Sequence, residues 1–241
     1  MLIDKIKVLV FGAHPDDAEL GLGATIAQLT SKGNKVVVID LTEGELSTRG
    51  DIYTRYQESK RAAKILGIYK RINLKMSDGF FLNCKNNILK IVYYIRKFQP
   101  EIIFTTPPKD RHPDHIKANK IVTDAVFFSG LNKIHTYDKN ILQKEWKINN
   151  LYYYILWDNL KPNFIIDVSG FENKKIQSCM IYKSQFYNKN SKENNTKISS
   201  KNFKNSISYR MKDWGRLIDV EYGEAFLSNR IIAIKNIFNL Y

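Results

Sequence analysis

The chain has 241 residues, 44% of them hydrophobic, and 38 Lys and Arg against 24 Asp and Glu give a formal net charge of +14. That size and apolar share suit a single domain with a real core and exclude a disordered chain, and no apolar run reaches the length of a membrane span. The lysines are spread through an Asn- and Ile-rich sequence with no basic, aromatic-interleaved stretch, which argues against a nucleic-acid platform and leaves a small anionic substrate as the partner that suits the charge.

In chain order, residues 7–12 (KVLVFG) form a short apolar run, the pattern of a buried parallel strand. Residues 18–32 place apolar side chains at helical spacing, with Gly33 as the stop. Residues 35–41 (KVVVIDL) predict a second buried strand, and 53–66 a helix closed by Gly67. Helix 88–98 ends before Pro100, strand 101–106 follows, and 116–128 is the next helix. This alternation predicts an α/β fold, a Rossmann-like, mostly parallel sheet flanked by helices. Further on, 151–157 and 164–168 predict strands and 171–186 a helix, while 188–208, rich in Lys, Asn and Ser, predicts a polar surface loop. A final structured segment is expected within 215–229. No boundary or repeat divides the chain, so the expectation is one domain over 1–241.

The two cysteines, Cys84 and Cys179, are far apart and in no ligand spacing, as in a reducing compartment. Cys179 sits in an apolar stretch and is expected to be a buried small hydrophobe. The opening apolar run is too short for a signal-peptide core, and the expectation is a cytoplasmic protein.

Chemistry concentrates in two short motifs. Ala13-His14-Pro15-Asp16-Asp17 follows the first strand directly. The residue before a proline is pushed out of helical geometry, so His14 belongs in the turn and Pro15 suits the first helical position. Asp16 and Asp17 then lie in a first turn whose dipole favours carboxylates. His14 and Asp17 can grip one metal ion while Asp16 offers a second carboxylate nearby. Arg111-His112-Pro113-Asp114-His115 repeats the logic after the 101–106 strand, with His112 and His115 three apart on one helix face. Both motifs sit where open α/β sheets bind ligands. His135, the fourth histidine, lies in a polar loop and is expected to be exposed.

Two histidines and a carboxylate around one ion form a familiar catalytic zinc set with a position left for water. Zinc polarises a carbonyl and acidifies water, and a separate carboxylate can serve as general base. Two other readings stay open. Gly21-Leu22-Gly23 after an opening strand suggests a nucleotide-binding oxidoreductase, although its third glycine is replaced by Ile26 and the motif comes a turn late. A basic binding module with a structural metal would need a closed four-ligand site.

The AHPDD and HPDH pair resembles the LmbE-like, or PIG-L, deacetylases, and within them the N-acetylglucosaminyl-malate deacetylases of bacillithiol synthesis. The likeness extends through Asp16 to Gly21, Gly44 to Gly50, Arg55 to Glu58, Ser77-Asp78-Gly79, residues 111–118, Ser184-Gln185-Phe186 and Tyr222 to Phe226. The resemblance implies a zinc-dependent hydrolase with His14, Asp17 and His115 as ligands of one Zn2+, other divalent ions being possible. It implies Asp16 as general base, His112 as stabiliser of the oxyanion or donor to the leaving amine, and Asp114 as its orienting partner. Arg55 and Asp78 match sugar-binding positions. Arg49 and Arg111 are candidates for a carboxylate on the aglycone, of which malate is the expected example. A homo-oligomer is a further expectation from the resemblance.

Overall fold

The computed structural model describes residues 6–234 and 236–239. Along them run β1 (Val8–Gly12), α1 (Asp17–Ser31), β2 (Val36–Thr42), α2 (Ile52–Leu66), β3 (Lys70–Met76), α3 (Lys85–Phe98), β4 (Ile102–Thr105) and α4 (Pro113–Ser129). Then come β5 (Tyr137–Asp138), β6 (Ile141–Leu142), β7 (Asn150–Tyr154), β8 (Phe164–Asp167), α5 (Glu172–Met180), a 3-10 turn (Lys197–Ser199), α6 (Lys201–Arg216) and β9 (Gly223–Ser228).

Seven strands form one sheet in the order β3-β2-β1-β4-β7-β9-β8. The first five are parallel, and β9 runs antiparallel to both β7 and β8. β1 and β2 are buried along their whole length, which requires cover on both faces. Alternation along β1 supplies both cores. Leu9 and Phe11 pack with Ile91 and Val92 of α3 and Ile121 and Val122 of α4, whereas Val8 and Val10 pack with Ala18, Leu22 and Ile26 of α1. α1, α2 and α5 share one face, and α3 and α4 the other. The expected α/β sandwich is what the chain forms.

Several stretches differ from the sequence expectation, among them the short pair β5 and β6, for which no strand was expected. β3 was not anticipated, because KRINLKM is an edge strand whose Arg71 turns inward to ion-pair with Glu19 and Asp40. The helix expected over 171–186 stops at Met180. The polar segment 188–208 is not all loop, since α6 begins at Lys201 with Ser200 Oγ accepting from the Phe203 N–H at 3.1 Å. α6 buries only Ile207, Met211 and Gly215, a stripe too sparse to stand out among the lysines and asparagines.

Gly21 and Gly23 lie inside α1, which kinks at Leu22. A side chain on Gly21 would overlap the ring of Tyr154, and one on Gly23 would press on Lys175. These glycines therefore serve helix packing, and the strand-to-helix turn of a dinucleotide site is taken by His14 to Asp16. Glu224 caps the kink: its carboxylate accepts from the Ala24 and Thr25 N–H groups at 3.1 and 2.7 Å and from Lys175 Nζ at 2.6 Å. Because Tyr154 is fully buried, Gly21→Ala is expected to lower stability by about 1–3 kcal/mol, read as a lower urea midpoint at unchanged m-value.

Cys179 is buried and free, as expected, and His135 is exposed. No described helix is long and apolar enough to cross a membrane.

Candidate active site

The sequence sends β2 to one side of β1 and β4 to the other. The segments leaving β1 and β4 therefore diverge to opposite faces, and a crevice opens at the carboxyl ends of these strands. A cleft of about 370 Å³ lies there, with His14, Asp16, Asp17, His112 and His115 on its floor and Trp157 on its wall.

The first turn is not built as its proline suggests. α1 starts at Asp17, so Pro15 lies two residues ahead of the helix and Asp16 is its cap at φ 129°. That conformation is strained for a residue with a side chain, at about 1–3 kcal/mol. Arg55 holds it: Nε and Nη2 donate to the Pro15 carbonyl at 3.1 and 3.0 Å, and Nη2 donates to Asp16 Oδ2 at 2.9 Å. The same guanidinium donates to Ser47 Oγ. Arg55 thus fixes the carboxylate of Asp16, and its contacts within the chain are those of a positioning group.

Two of the three histidines on the floor are each gripped from behind. His14 Nε2 donates to Asp78 Oδ1 at 3.0 Å, and Asp78 Oδ2 accepts the Leu46 N–H at 2.9 Å. His115 Nδ1 donates to Asp110 Oδ1 at 2.9 Å, and Asp110 Oδ2 accepts the Trp157 N–H at 2.9 Å. Their remaining nitrogens turn to one carboxylate, with Asp17 Oδ1 3.1 Å from His115 Nε2 and Asp17 Oδ2 3.7 Å from His14 Nδ1. A histidine whose outer nitrogen is held by a carboxylate and whose inner nitrogen faces the site is the usual environment of a metal ligand. The sequence missed Asp110, which stands one residue ahead of the Arg111 motif and whose only signal is its place in the same loop.

Electrostatics follow from this crowding. Burial opposes charge on His14, but the carboxylates of Asp114, Asp17 and Asp78 hold its pKa well above the usual histidine value. Burial likewise opposes charge on His115, and Asp17 and Asp110 raise it to about 9. Asp17 is buried, yet the two imidazoliums hold it well below the usual carboxylate range. The cluster thus draws positive charge to its centre, and a divalent cation can replace the protons. Ligating atoms of His14, His112 and His115 lie within 4.8 Å of one another, as do those of His14, Asp78 and Asp114. The donors are nitrogen and oxygen, a set that fits zinc and other borderline divalent ions.

Asp16 and His112 stand apart from that pairing. Burial drives Asp16 up to about 7, against the pull of Arg55. Burial and the neighbouring cations of His14 and His115 drive His112 down to about 4. His112 caps α4, its Nδ1 accepting the Asp114 N–H at 3.3 Å, and Pro113 takes the first helical position as expected. A neutral ring accepting at Nδ1 carries its proton on Nε2 and can donate there.

The carboxylate of Asp114, expected to orient His112, turns elsewhere. It accepts the Gly79 N–H at 2.6 Å, pairs with Lys117 at 3.1 Å and lies 3.6 Å from His14 Nε2. Only its backbone N–H serves His112. Arg111 is exposed over the ring of Trp157, 4.3 Å from the ring centre. Arg49 is buried away from the floor, under the segment that follows α5.

Residues 9–126 match the family model described as PIG-L: GlcNAc-PI de-N-acetylase. The diacetylchitobiose deacetylase of Thermococcus kodakarensis is 33% identical over 193 residues, covering 76% of this chain and 71% of that protein. The chain belongs to the PIG-L family. A more distant family member, the 1D-myo-inositol 2-acetamido-2-deoxy-alpha-D-glucopyranoside deacetylase of Mycobacterium leprae, is 28% identical over 181 residues, covering 61% of this chain and 59% of that one. Among solved structures, the conserved protein TT1542 of Thermus thermophilus superposes with a TM-score of 0.84 at 28% identity, over 95% of this chain and 98% of its own. The AHPDD motif and HPDH both fall inside the stretch matched by the family model.

Proposed function

We propose that this PIG-L family member hydrolyses the acetamide of an N-acetylglucosaminide, releasing acetate and a free amino sugar, with one zinc ion held by His14, Asp17 and His115. Family membership supports deacetylation of an N-acetylglucosamine-containing substrate, since the relatives named above act on diacetylchitobiose and on a glucosaminyl inositol. The observation that carries the chemistry is the separation of roles on the cleft floor. Asp17 links the two histidines, 3.7 Å from His14 Nδ1 and 3.1 Å from His115 Nε2, while Asp16 is held beside them by Arg55 at 2.9 Å.

Zinc at that point would polarise the amide carbonyl and increase the acidity of water. The remaining work falls to the chain itself. Asp16, fixed by Arg55, takes the proton of the attacking water and returns it to the amide nitrogen as the C–N bond breaks, releasing acetate and the free amine, and burial raises its carboxyl toward the range that suits a general base. His112, neutral and with Nε2–H available, donates to the oxyanion of the tetrahedral intermediate. Asp78 and Asp110 keep His14 and His115 oriented. Asp114 locks the Gly79 loop to α4 and adds negative charge behind His14.

The substrate we infer is N-acetylglucosaminyl-malate, as in bacillithiol synthesis. The resemblance of the 44–50 and 222–226 stretches and the +14 net charge support it. A primary-amine release assay over N-acetylglucosaminides tests this directly. The malate glycoside is expected to show a kcat/KM more than about tenfold above that of the neutral methyl glycoside, because each charge-assisted contact to a carboxylate contributes about 1.5–3 kcal/mol. A ratio near one would leave the deacetylase standing and refute the malate assignment.

A further inference from the structure

The segment between α5 and α6 is a strap stitched to the cleft wall. Arg49, 2% exposed, donates from Nη2 to Ser191 Oγ at 2.5 Å, and its Nε lies 3.5 Å from Glu193 Oε2. The Gly50 N–H donates to Glu193 Oε1 at 2.7 Å, and Gln185 Nε2 donates to the Arg49 carbonyl at 2.8 Å. Past these anchors the chain tightens into the 3-10 turn, where the Thr196 N–H donates to Ser199 Oγ at 2.8 Å. Thr196, Lys197 and Ile198 thereby become part of the cleft wall.

The charges of that wall are unevenly satisfied. Asp16 is paired with Arg55, Asp17 and Asp110 with His115, and Asp78 with His14. Two cations remain, Arg111 and Lys197, and neither meets a carboxylate among the described residues. Arg111 lies over Trp157, and Lys197 is exposed at the turn. A cleft whose acids are all engaged and whose free charges are both positive selects for a negative group at its mouth.

We propose that Lys197, carried into the cleft wall by this strap, recognises an anionic group on the aglycone, and that Arg49 is the positioning residue that anchors the strap. The proposal rests on the N-acetylglucosaminide deacetylase reading above and assigns its selectivity to a segment outside the His and Asp motifs. Arg49 acts from beneath the strap through Ser191 and Glu193, so it tunes the same selectivity without reaching the substrate.

The test is the ratio of kcat/KM for N-acetylglucosaminyl-malate to that for the methyl glycoside, measured in the full-length, metal-loaded protein. Lys197→Ala is expected to lower the ratio about tenfold and Lys197→Glu further, chiefly through KM for the malate glycoside. Arg49→Met is expected to lower the same ratio, whereas a purely structural role would depress both glycosides alike and leave the ratio where it was. Calorimetric titration with the deacetylated malate glucosaminide reads the subsite without turnover, with at least about tenfold weaker binding expected in Lys197→Glu. An unchanged ratio together with unchanged affinity in Lys197→Glu overturns the proposal. Failure of the wild-type protein to release amine from either glycoside would count against the deacetylase reading, and the calorimetric comparison would still decide the subsite.

Discussion

Asp16→Asn is expected to keep its metal and lose about a hundredfold or more in kcat, the usual scale for removal of a general base. The amide occupies the space of the carboxylate and its oxygen can still accept from Arg55 Nη2, so the local structure has a reason to persist. Asn branches at the same atom as Asp, so the substitution adds no new backbone strain at the φ of 129° adopted there. What it cannot do is take a proton. The informative pattern is therefore a fall in kcat with KM and zinc content close to wild type. Near-normal turnover would remove Asp16 as the base, and loss of zinc would instead move it into the ligand set.

His115→Ala is expected to abolish metal binding and activity together. His115 links two carboxylates, Asp110 on one ring nitrogen and Asp17 on the other. Its loss would leave two protein ligands for an ion that ordinarily has three in a catalytic site. The variant would also leave Asp17 buried with one fewer partner, so stability and metal content need separate readouts. Elemental analysis after dialysis should give about one zinc per chain for the wild type and far less for the variant. A ligand that binds only the native state raises its melting temperature, so zinc added after chelation should raise the Tm of the wild type and restore its activity while leaving the variant unmoved. Full zinc occupancy in His115→Ala would exclude His115 as a ligand.

Much of the molecule was legible in the order of its residues. The apolar runs of β1, β2 and β4, the glycine stops after α1 and α2 and the two His-Pro-Asp turns identify the sheet, its helices and the end of the sheet that carries chemistry. Such features are local: burial on both faces writes a continuous apolar run, and a helix start writes its own cap. The meeting of His14, His112 and His115, with Asp17 beside His14 and His115, was also readable, because residues placed just after two strands meet if those strands are neighbours.

What only the tertiary structure decided concerns side chains whose partners lie far along the chain. β3 reads as polar because Arg71 spends its charge on Glu19 and Asp40, 52 and 31 residues away. Asp78, expected at the sugar, and Asp110, which carried no expectation, stand behind His14 and His115 only because the fold brings them there. Arg55, expected at the sugar, closes on the carbonyl of Pro15 and the carboxylate of Asp16, and Asp114 turns from His112 toward Gly79 and Lys117. Lys197 was one lysine among many in a polar stretch, and its place in the cleft wall shows only once that stretch is seen anchored through Arg49 and Gly50. Sequence periodicity records which way a side chain faces relative to its own element, whereas hydrogen bonds and ion pairs depend on which elements the chain brings together. The buried strands β1, β2 and β4 and the two motifs were therefore legible in the sequence alone, whereas the partners of the groups around them came from the folded contacts.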